Sequence, residues 1–250
     1  MLLQILKTII FIMSSRINKY LSEIGFCSRR EADKLITSGL VTINDQVAEL
    51  GTRVQDGDIV QVRGSIVSAS SSKHTYLLYN KPIGITCTTD TRVEGNIIDA
   101  ISYHKRIFPI GRLDKPSQGL ILLTDDGDIV NKILRARNHH EKEYIVSVHK
   151  DITKNFLQKM RQGVPILDTV TRPCTVSKID KNVFRIILTQ GLNRQIRRMC
   201  QYLSYKVTSL KRVRIMNIHL DIPVGTWREL RPAELQKLQN LLKDSEKTHD

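Results

Sequence analysis

Residues 110–128 read IGRLDKPSQGLILLTDDGD. A turn rich in glycine and polar residues leads here into the apolar run LILLT at 120–124. A short apolar run bounded by turn residues is typical of a buried strand. The DDG that follows predicts another turn. Ile129, Ile133 and Leu134 then recur at helical spacing, so the sequence predicts a turn, a buried strand, a second turn and a helix in succession.

The surrounding sequence predicts more strands than helices. TYLLYNKPIGITCTT at 75–89 predicts a strand, a Lys-Pro-x-Gly turn and a second strand. KEYIVSV, FRIILTQG and the segments around residues 164–176 predict further strands. NRQIRRMCQYL at 193–203 predicts a short basic helix, and residues 232–242 predict another helix. Because the strands come as hairpin-like pairs, we expect an α+β fold with a mixed, mostly antiparallel sheet rather than a doubly wound parallel sheet.

The N-terminal part has a different organisation. INKYLSEIG at 17–25 and RREADKLITSG at 29–39 predict two short helices, the second with Ser28 as its N-cap and Glu31 three residues on. Short strands follow around an Asn44-Asp45 turn. We therefore expect a small domain at 14–63, a Ser-rich linker at 64–75 and a larger domain at 76–250. The apolar residues 1–13 are too short to span a bilayer, and we expect a disordered or non-native extension ahead of a natural start at Met13.

The charge favours a polyanionic partner. The chain carries 39 Lys and Arg against 25 Asp and Glu, a formal net charge of +14, and nearly all of the excess lies after residue 72. Phosphate contacts by Lys and Arg release condensed counterions, so nucleic acid is favoured over an anionic membrane surface. The four cysteines are scattered, without the spacing of a zinc site or a disulfide framework. A reducing cytosol fits this pattern best.

The two N-terminal helices carry Arg16, Lys19, Arg29, Arg30 and Lys34. These cations could be ordinary solvated faces, an RNA-binding surface or part of a DNA-reading helix-turn-helix. The strands that follow do not belong to a helix-turn-helix. RINKYLSEIGFCSRREADKLITSGLVTINDQ at 16–46 resembles instead the RNA-binding domain of ribosomal protein S4, which implies contacts to RNA shape and phosphates.

Asp114 lies on a Gly- and Pro-bounded loop between Arg112 and Lys115. Nearby cations keep a carboxylate ionised, which suits a nucleophile or a base, although a loop Asp in this setting is more often part of a structural salt bridge. The acidic run at 125–128 has a superficial likeness to a calcium loop. It lacks the later bidentate Glu, so capping carboxylates are the better interpretation.

A family resemblance gives Asp114 a more specific role. IGRLDKPSQGLILLT, KEYIV, GLNRQIRRMC, LKRVRIMNIHL and GTWRELRPAEL resemble the pseudouridine synthases of the RsuA/RluB/RluE/RluF family, over about residues 14–240. EKEYIV and GVPILDTVT look most like the F-type enzyme of large-subunit ribosomal RNA. The resemblance implies that Asp114 is the obligatory catalytic residue, that Tyr144 stacks on the target base and that Arg197 pairs with the aspartate. Leu210 would be an apolar wall of the pocket.

Two of these roles have alternatives in the sequence itself. Tyr144 could be a core residue of its strand, and Arg194 or Arg198 could be the true partner of the aspartate. Further RNA contacts are expected at Arg112, Asn193, Arg194, Gln195 and Arg198.

The implied activity is the isomerisation of uridine to pseudouridine in large-subunit ribosomal RNA, and transfer RNA is a candidate second substrate that the sequence leaves open. This reaction requires no net oxidation or hydrolysis, so we expect neither a cofactor nor a metal. A cytoplasmic monomer without membrane contact is expected. The alternatives are a non-catalytic ribosome-assembly factor, a small-subunit synthase and a DNA-binding regulator. A glycosidase would need a second acid near Asp114, whereas Asp125 is separated from it by a strand.

Overall fold

The computed structural model describes residues 14–68 and 74–245. The chain divides into two compact units, with the boundary between Lys73 and His74. The extension expected at 1–13, residues 69–73 of the expected linker and residues 246–250 lie outside the described residues.

The described residues of the first unit form two helices and six short strands. These are β1 (Ser15–Arg16), α1 (Ile17–Glu23), α2 (Arg29–Thr37), β2 (Val41–Ile43), β3 (Gln46–Val47), β4 (Arg53–Val54), β5 (Val60–Val62) and β6 (Ser65–Ile66). Strands β3-β2-β5-β6 form one antiparallel sheet, and β1 pairs with β4. Strand β6 lies within the stretch for which the sequence predicts a linker.

Local sequence explains the start of α2 and the turn after β2. The Ser28 hydroxyl accepts a hydrogen bond from the Glu31 amide at 3.2 Å, which satisfies a backbone donor that the helix leaves free. Asn44 and Asp45 both have positive φ, at 50° and 64°, as a tight two-residue hairpin turn requires. Both features agree with the sequence prediction.

The second unit contains both strands and helices, with several strands following one another directly. Its elements are β7 (Tyr76–Lys81), α3 (Ile97–Ile101), β8 (Phe108–Ile110), β9 (Gln118–Thr124), α4 (Gly127–Leu134), a 3₁₀ turn (Ala136–Asn138), β10 (Lys142–Val148), α5 (Lys154–Gln162), β11 (Pro165–Ile166), β12 (Thr169–Val170), β13 (Thr175–Asp180), β14 (Val183–Leu188), α6 (Gln195–Tyr202), β15 (Val207–Ile215), β16 (Ile218–His219), β17 (Trp227–Glu229) and α7 (Pro232–Leu241).

One large mixed sheet forms the centre of the second unit. Its main path runs β13-β14-β10-β15-β9-β7-β17, with β16 paired to β15 and β8 to β9. Strand β9 pairs in parallel with β15, and the other strand pairs of this sheet are antiparallel. The expected α+β fold with a mixed, mostly antiparallel sheet is confirmed.

The prediction of a second strand within residues 75–89 is wrong. After β7 the chain makes only an isolated bridge between Thr86 and Asn96. Both edges of β7 are already paired, one with β9 and the other with β17, so no edge is left for a hairpin partner. The backbone of the loop instead bonds elsewhere: the Gly84 amide donates to the Lys115 carbonyl at 2.9 Å.

The buried side chains of the second unit form three clusters. One surrounds Phe184 with helices α5 and α6, another surrounds Leu122 with α4 and α7, and a third surrounds Ile121 with α3. The ring of Tyr144 packs against both the first and the third. Among the described residues, no helix is long and apolar enough to cross a membrane.

Candidate active site

The loop between β8 and β9 fixes the position of Asp114. The Leu113 side chain is buried, and its amide donates to the Cys87 sulfur at 3.3 Å. The Ser117 amide closes a turn by donating to the Asp114 carbonyl at 2.9 Å. The carboxylate itself remains 32% exposed. The loop is thus anchored on both sides of an aspartate that solvent and ligands can reach.

Arg197 reaches this loop from helix α6. Its Nη2 donates to the Pro116 carbonyl at 2.9 Å and to the Ser117 hydroxyl at 3.1 Å. Its Nε lies 3.8 Å from Asp114 Oδ2 and has no hydrogen-bond partner among the described residues. Burial lowers the pKa of the guanidinium, and the charge of Asp114 opposes this effect. Of the three candidate arginines, the structure therefore places Arg197 beside the aspartate, as predicted.

Tyr144 stands on strand β10, beside the same cleft. It is half-buried, and it pairs with Ile186 of β14 on one side and with Arg212 of β15 on the other. The Arg212 guanidinium carbon lies 6.0 Å from the centroid of its ring. Leu210, which is 7% exposed, lies two residues before Arg212 on β15. The Tyr144 ring and the Leu210 side chain therefore lie on neighbouring central strands of the sheet.

A cleft of about 520 Å³ brings together the predicted site residues of the second unit except Arg198. A cavity of this size is sufficient for one nucleoside. Asp114 is the one carboxylate among its described lining residues. Of the predicted site residues, the lining includes Arg112, Asp114, Tyr144, Asn193, Arg194, Gln195, Arg197 and Leu210.

Two residues predicted to contact RNA have internal partners in the structure. Gln195 is buried, and its Oε1 accepts from the Leu192 amide at 3.0 Å. Arg198 donates through Nε to the Asn193 carbonyl at 3.1 Å and through Nη2 to the Asn193 side chain at 3.2 Å. These bonds shape the turn before α6. Arg112, Asn193 and Arg194 are exposed, and the Asn193 side-chain amide keeps its own donor because Arg198 bonds to its Oδ1.

The predicted cations of the first unit are mostly exposed. Arg16, Arg29, Arg30 and Lys34 are exposed, whereas Lys19 is half-buried and lies 3.4 Å from Glu23 one helical turn away. Four of the five side chains are thus available to RNA phosphates.

Sequence reasoning missed two buried cations in the cleft lining, Lys142 and Arg212. The Lys142 Nζ donates to the His140 carbonyl at 3.2 Å, and the Arg212 Nε donates to the Leu120 carbonyl at 2.7 Å. A strand period of two would have identified them, because Lys142 precedes Tyr144 by two residues and Arg212 follows Leu210 by two. Among the described residues, no group of three or more His, Cys, Asp or Glu is placed to hold a metal ion.

The acidic run at 125–128 has a structural role, as predicted. Asp126 caps helix α4 by accepting from the amides of Asp128 and Ile129, and Asp125 accepts from the Thr75 amide at 3.0 Å. Strand β9 separates this run from Asp114.

Each of the two units matches a known protein family. Residues 75–202, just over half of the chain, match the RNA pseudouridylate synthase family, and residues 15–60 match the S4 domain. The chain belongs to the RNA pseudouridine synthase family. It carries an S4 domain ahead of its synthase domain.

Individual relatives place the chain among the RluF-type synthases. It is 55% identical to the dual-specificity RNA pseudouridine synthase RluF of Salmonella typhi and 53% identical to that of Escherichia coli K12. Each alignment covers 93% of this chain and 81% of the relative. A crystal structure of a pseudouridylate synthase superposes with a TM-score of 0.67 at 27% identity, covering 89% of this chain and 99% of the other.

Proposed function

We propose that this synthase isomerises a specific uridine of large-subunit ribosomal RNA to pseudouridine, and that a transfer RNA is its second substrate. The observation that carries the proposal is the pair of Asp114 and Arg197, 3.8 Å apart in a nucleoside-sized cleft beside Tyr144. The choice of large-subunit RNA rests on the sequence resemblance and on the ribosomal large subunit pseudouridine synthase B of Vibrio cholerae, which is 32% identical to this chain. The second substrate rests on the dual specificity in the names of the RluF relatives.

Asp114 acts as the nucleophile or the base. Its carboxylate either attacks C1′ of the uridine or removes the proton from C2′ to give a glycal. In both routes the N1–C1′ bond breaks, the uracil turns, and a new bond joins C5 to C1′. Arg197 orients the carboxylate and supplies its counter-charge. Removing either partner of a half-buried ion pair leaves the other without its counter-charge, so both are needed.

Tyr144 and Leu210 hold the base. The target uridine has to leave its stack to reach the cleft, at a cost of a few kcal/mol in a duplex and less in a loop. Stacking on the Tyr144 ring returns about 1–3 kcal/mol by analogy with aromatic stacking in single-strand binders. Leu210 supplies an apolar wall on the neighbouring strand.

Two sets of cations hold the RNA backbone. In the first unit these are Arg16, Lys19, Arg29, Arg30 and Lys34, and in the second unit Arg112 and Arg194, with Asn193 as a neutral donor. Gln195 and Arg198 act indirectly, through the hydrogen bonds that shape the turn carrying Asn193. We further propose that the enzyme works as a cytoplasmic monomer.

Pseudouridine mapping in cells tests this function. Ribosomal and transfer RNA from cells lacking the protein should each lack a pseudouridine that the wild-type gene restores and an Asp114→Asn gene does not. Unchanged modification of large-subunit RNA in the deletion strain would contradict the substrate assignment. Loss of a pseudouridine from small-subunit RNA alone would make small-subunit RNA the substrate instead. Restoration by the Asp114→Asn gene would favour a non-catalytic role in ribosome assembly.

A further inference from the structure

The cleft contains a pair of buried cations that the reaction as described above does not use. Lys142 is 8% exposed and Arg212 is 3% exposed, and both line the cleft. Lys142 lies two residues before Tyr144 on strand β10, and Arg212 lies two residues after Leu210 on β15. Side chains two residues apart on a strand share a face, so the two cations lie on the side of the sheet that carries the base-holding residues.

Their partners in the structure are neutral. Arg212 donates to the Leu120 carbonyl and Lys142 to the His140 carbonyl, and Arg212 Nη2 has no hydrogen-bond partner among the described residues. The one carboxylate in the described lining, Asp114, already faces Arg197. The cleft therefore holds more buried positive than negative charge.

Such an arrangement is costly in the free protein. A buried cation without a counter-charge loses its hydration, and a buried donor without an acceptor loses a hydrogen bond to water. Burial and the neighbouring charge of Arg212 lower the pKa of the Lys142 amine to about 8. An oxygen that bears negative charge, placed between Lys142 and Arg212, would relieve both penalties.

The reaction supplies such an oxygen, provided that the proposed function is correct. When the N1–C1′ bond breaks, its electron pair stays on the uracil, whether Asp114 bonds to C1′ or takes the C2′ proton. The resulting anion spreads its charge from N1 to the ring carbonyl oxygens. When C5 bonds to C1′, either the Asp114–C1′ bond breaks or Asp114 returns its proton to C2′ of the glycal. The C5 proton then leaves and N1 gains a proton, so the step balances without an oxidant or reductant.

We propose that Lys142 and Arg212 form a cationic subsite that binds the carbonyl oxygens of the detached uracil anion. The subsite lowers the barrier to breaking the glycosidic bond and holds the anion in the cleft while it turns. Fixed donors aimed at charge that develops during reaction stabilise the transition state more than the ground state. The exposed Arg112 and Arg194 suit the backbone phosphates better, because a phosphate at the surface does not have to be buried.

Three substitutions to methionine in the full-length protein test this subsite. Lys142→Met and Arg212→Met each remove one of its cations. Lys211→Met is the matched control, because Lys211 lies between Leu210 and Arg212 on β15 and does not line the cleft. The measurements are the dissociation constant for substrate RNA and the single-turnover rate of pseudouridine formation with the RNA saturated by enzyme.

We expect the two cleft variants to lose about 10²- to 10³-fold in the single-turnover rate, the effect of removing one donor to a developing anion, with nearly unchanged RNA affinity. Lys142→Arg, which keeps the charge, should retain more of the rate than Lys142→Met, and Lys211→Met should match the wild type. If Arg212→Met does not fold, Lys142→Met carries the test alone.

Two outcomes would overturn the subsite. One is a wild-type rate in Lys142→Met, and the other is a loss of RNA affinity as large as the loss of rate, which would assign these cations to RNA binding. Failure of the proposed function is distinguishable, because it would show as an active Asp114→Asn enzyme or as a wild-type enzyme that makes no pseudouridine in ribosomal RNA.

Discussion

Replacing Lys142 with methionine should stabilise the second unit of the free protein. Burial, aided by the charge of Arg212, lowers the pKa of the amine from 10.5 to about 8. A difference of this size corresponds to about 3 kcal/mol of stability that the protonated amine removes from the folded state at neutral pH. Methionine has a similar length and no charge, so Lys142→Met should recover up to about that amount.

The gain should depend on pH in a defined direction. Below pH 8 the amine is protonated in both states, so the folded state bears the whole cost. Between about pH 8 and 10.5 only the unfolded chain keeps the proton, so the cost that the Lys142 charge adds to the folded state falls as the pH rises. Burial lowers the pKa of His140, so this ring titrates below the window. Burial also raises the pKa of the Cys174 and Cys200 thiols, but these thiols contribute equally to both proteins and leave the difference between them unchanged. The difference between variant and wild type should therefore close as the pH approaches 10.5.

Urea denaturation followed by tryptophan fluorescence measures this difference. The chain has a single tryptophan, Trp227, which lies in the second unit, so the signal reports that unit. The variant should unfold at higher urea than the wild type at neutral pH, and Lys211→Met should show no such gain. A less stable Lys142→Met at neutral pH, or a difference that does not shrink at high pH, would refute the reasoning.

Three other sets of substitutions test separate parts of the structure. Tyr144→Phe should slow pseudouridine formation less than Tyr144→Leu, because only the latter removes the stacking surface; equal losses would contradict stacking. Gly119→Ala should destabilise the second unit by at least about 2 kcal/mol, since its Cβ would lie 2.3 Å from a carbonyl oxygen of β15; Gly225→Ala, at an open position with a similar backbone, is the control, and equal losses would remove the close approach as the cause. Replacing Arg29 and Arg30 with alanine should weaken RNA binding and reduce its salt dependence without unfolding the exposed helix face; an unchanged salt slope would argue against phosphate contacts there.

Local sequence predicted most elements of the fold and the position of the aspartate. Ser28 predicted the start of α2, and the apolar run at 120–124 predicted strand β9, because caps and buried strands are marked by adjacent residues. The prediction of a strand after the Lys-Pro-x-Gly turn was wrong, because whether that segment can pair depends on which distant strands occupy the edges of β7. Strand β17, almost 140 residues further on, occupies the edge that it would have needed.

The site residues also divide into those that a local motif predicts and those whose surroundings depend on distant segments. The pairing of Asp114 with Arg197 followed from a resemblance in motif, and the structure places the two side chains 3.8 Å apart. Gln195 looked like an RNA contact because it is polar and lies in a basic motif, but its hydrogen bond to the Leu192 amide turns it inward. Sequence analysis assigned Lys142 no role. The strand period of two places it on the face of Tyr144, and the pairing of β10 with β14 and β15 buries it.

The central claim is that Asp114 performs the chemistry in a cleft that binds a uridine of RNA. Purified wild-type and Asp114→Asn proteins should be incubated with large-subunit ribosomal RNA that lacks modification, and both pseudouridine formation and RNA affinity measured. We expect the wild type to form one pseudouridine at a defined position, and the variant to form none while binding the RNA nearly as tightly. Turnover by the variant near the wild-type rate would contradict the assignment of Asp114.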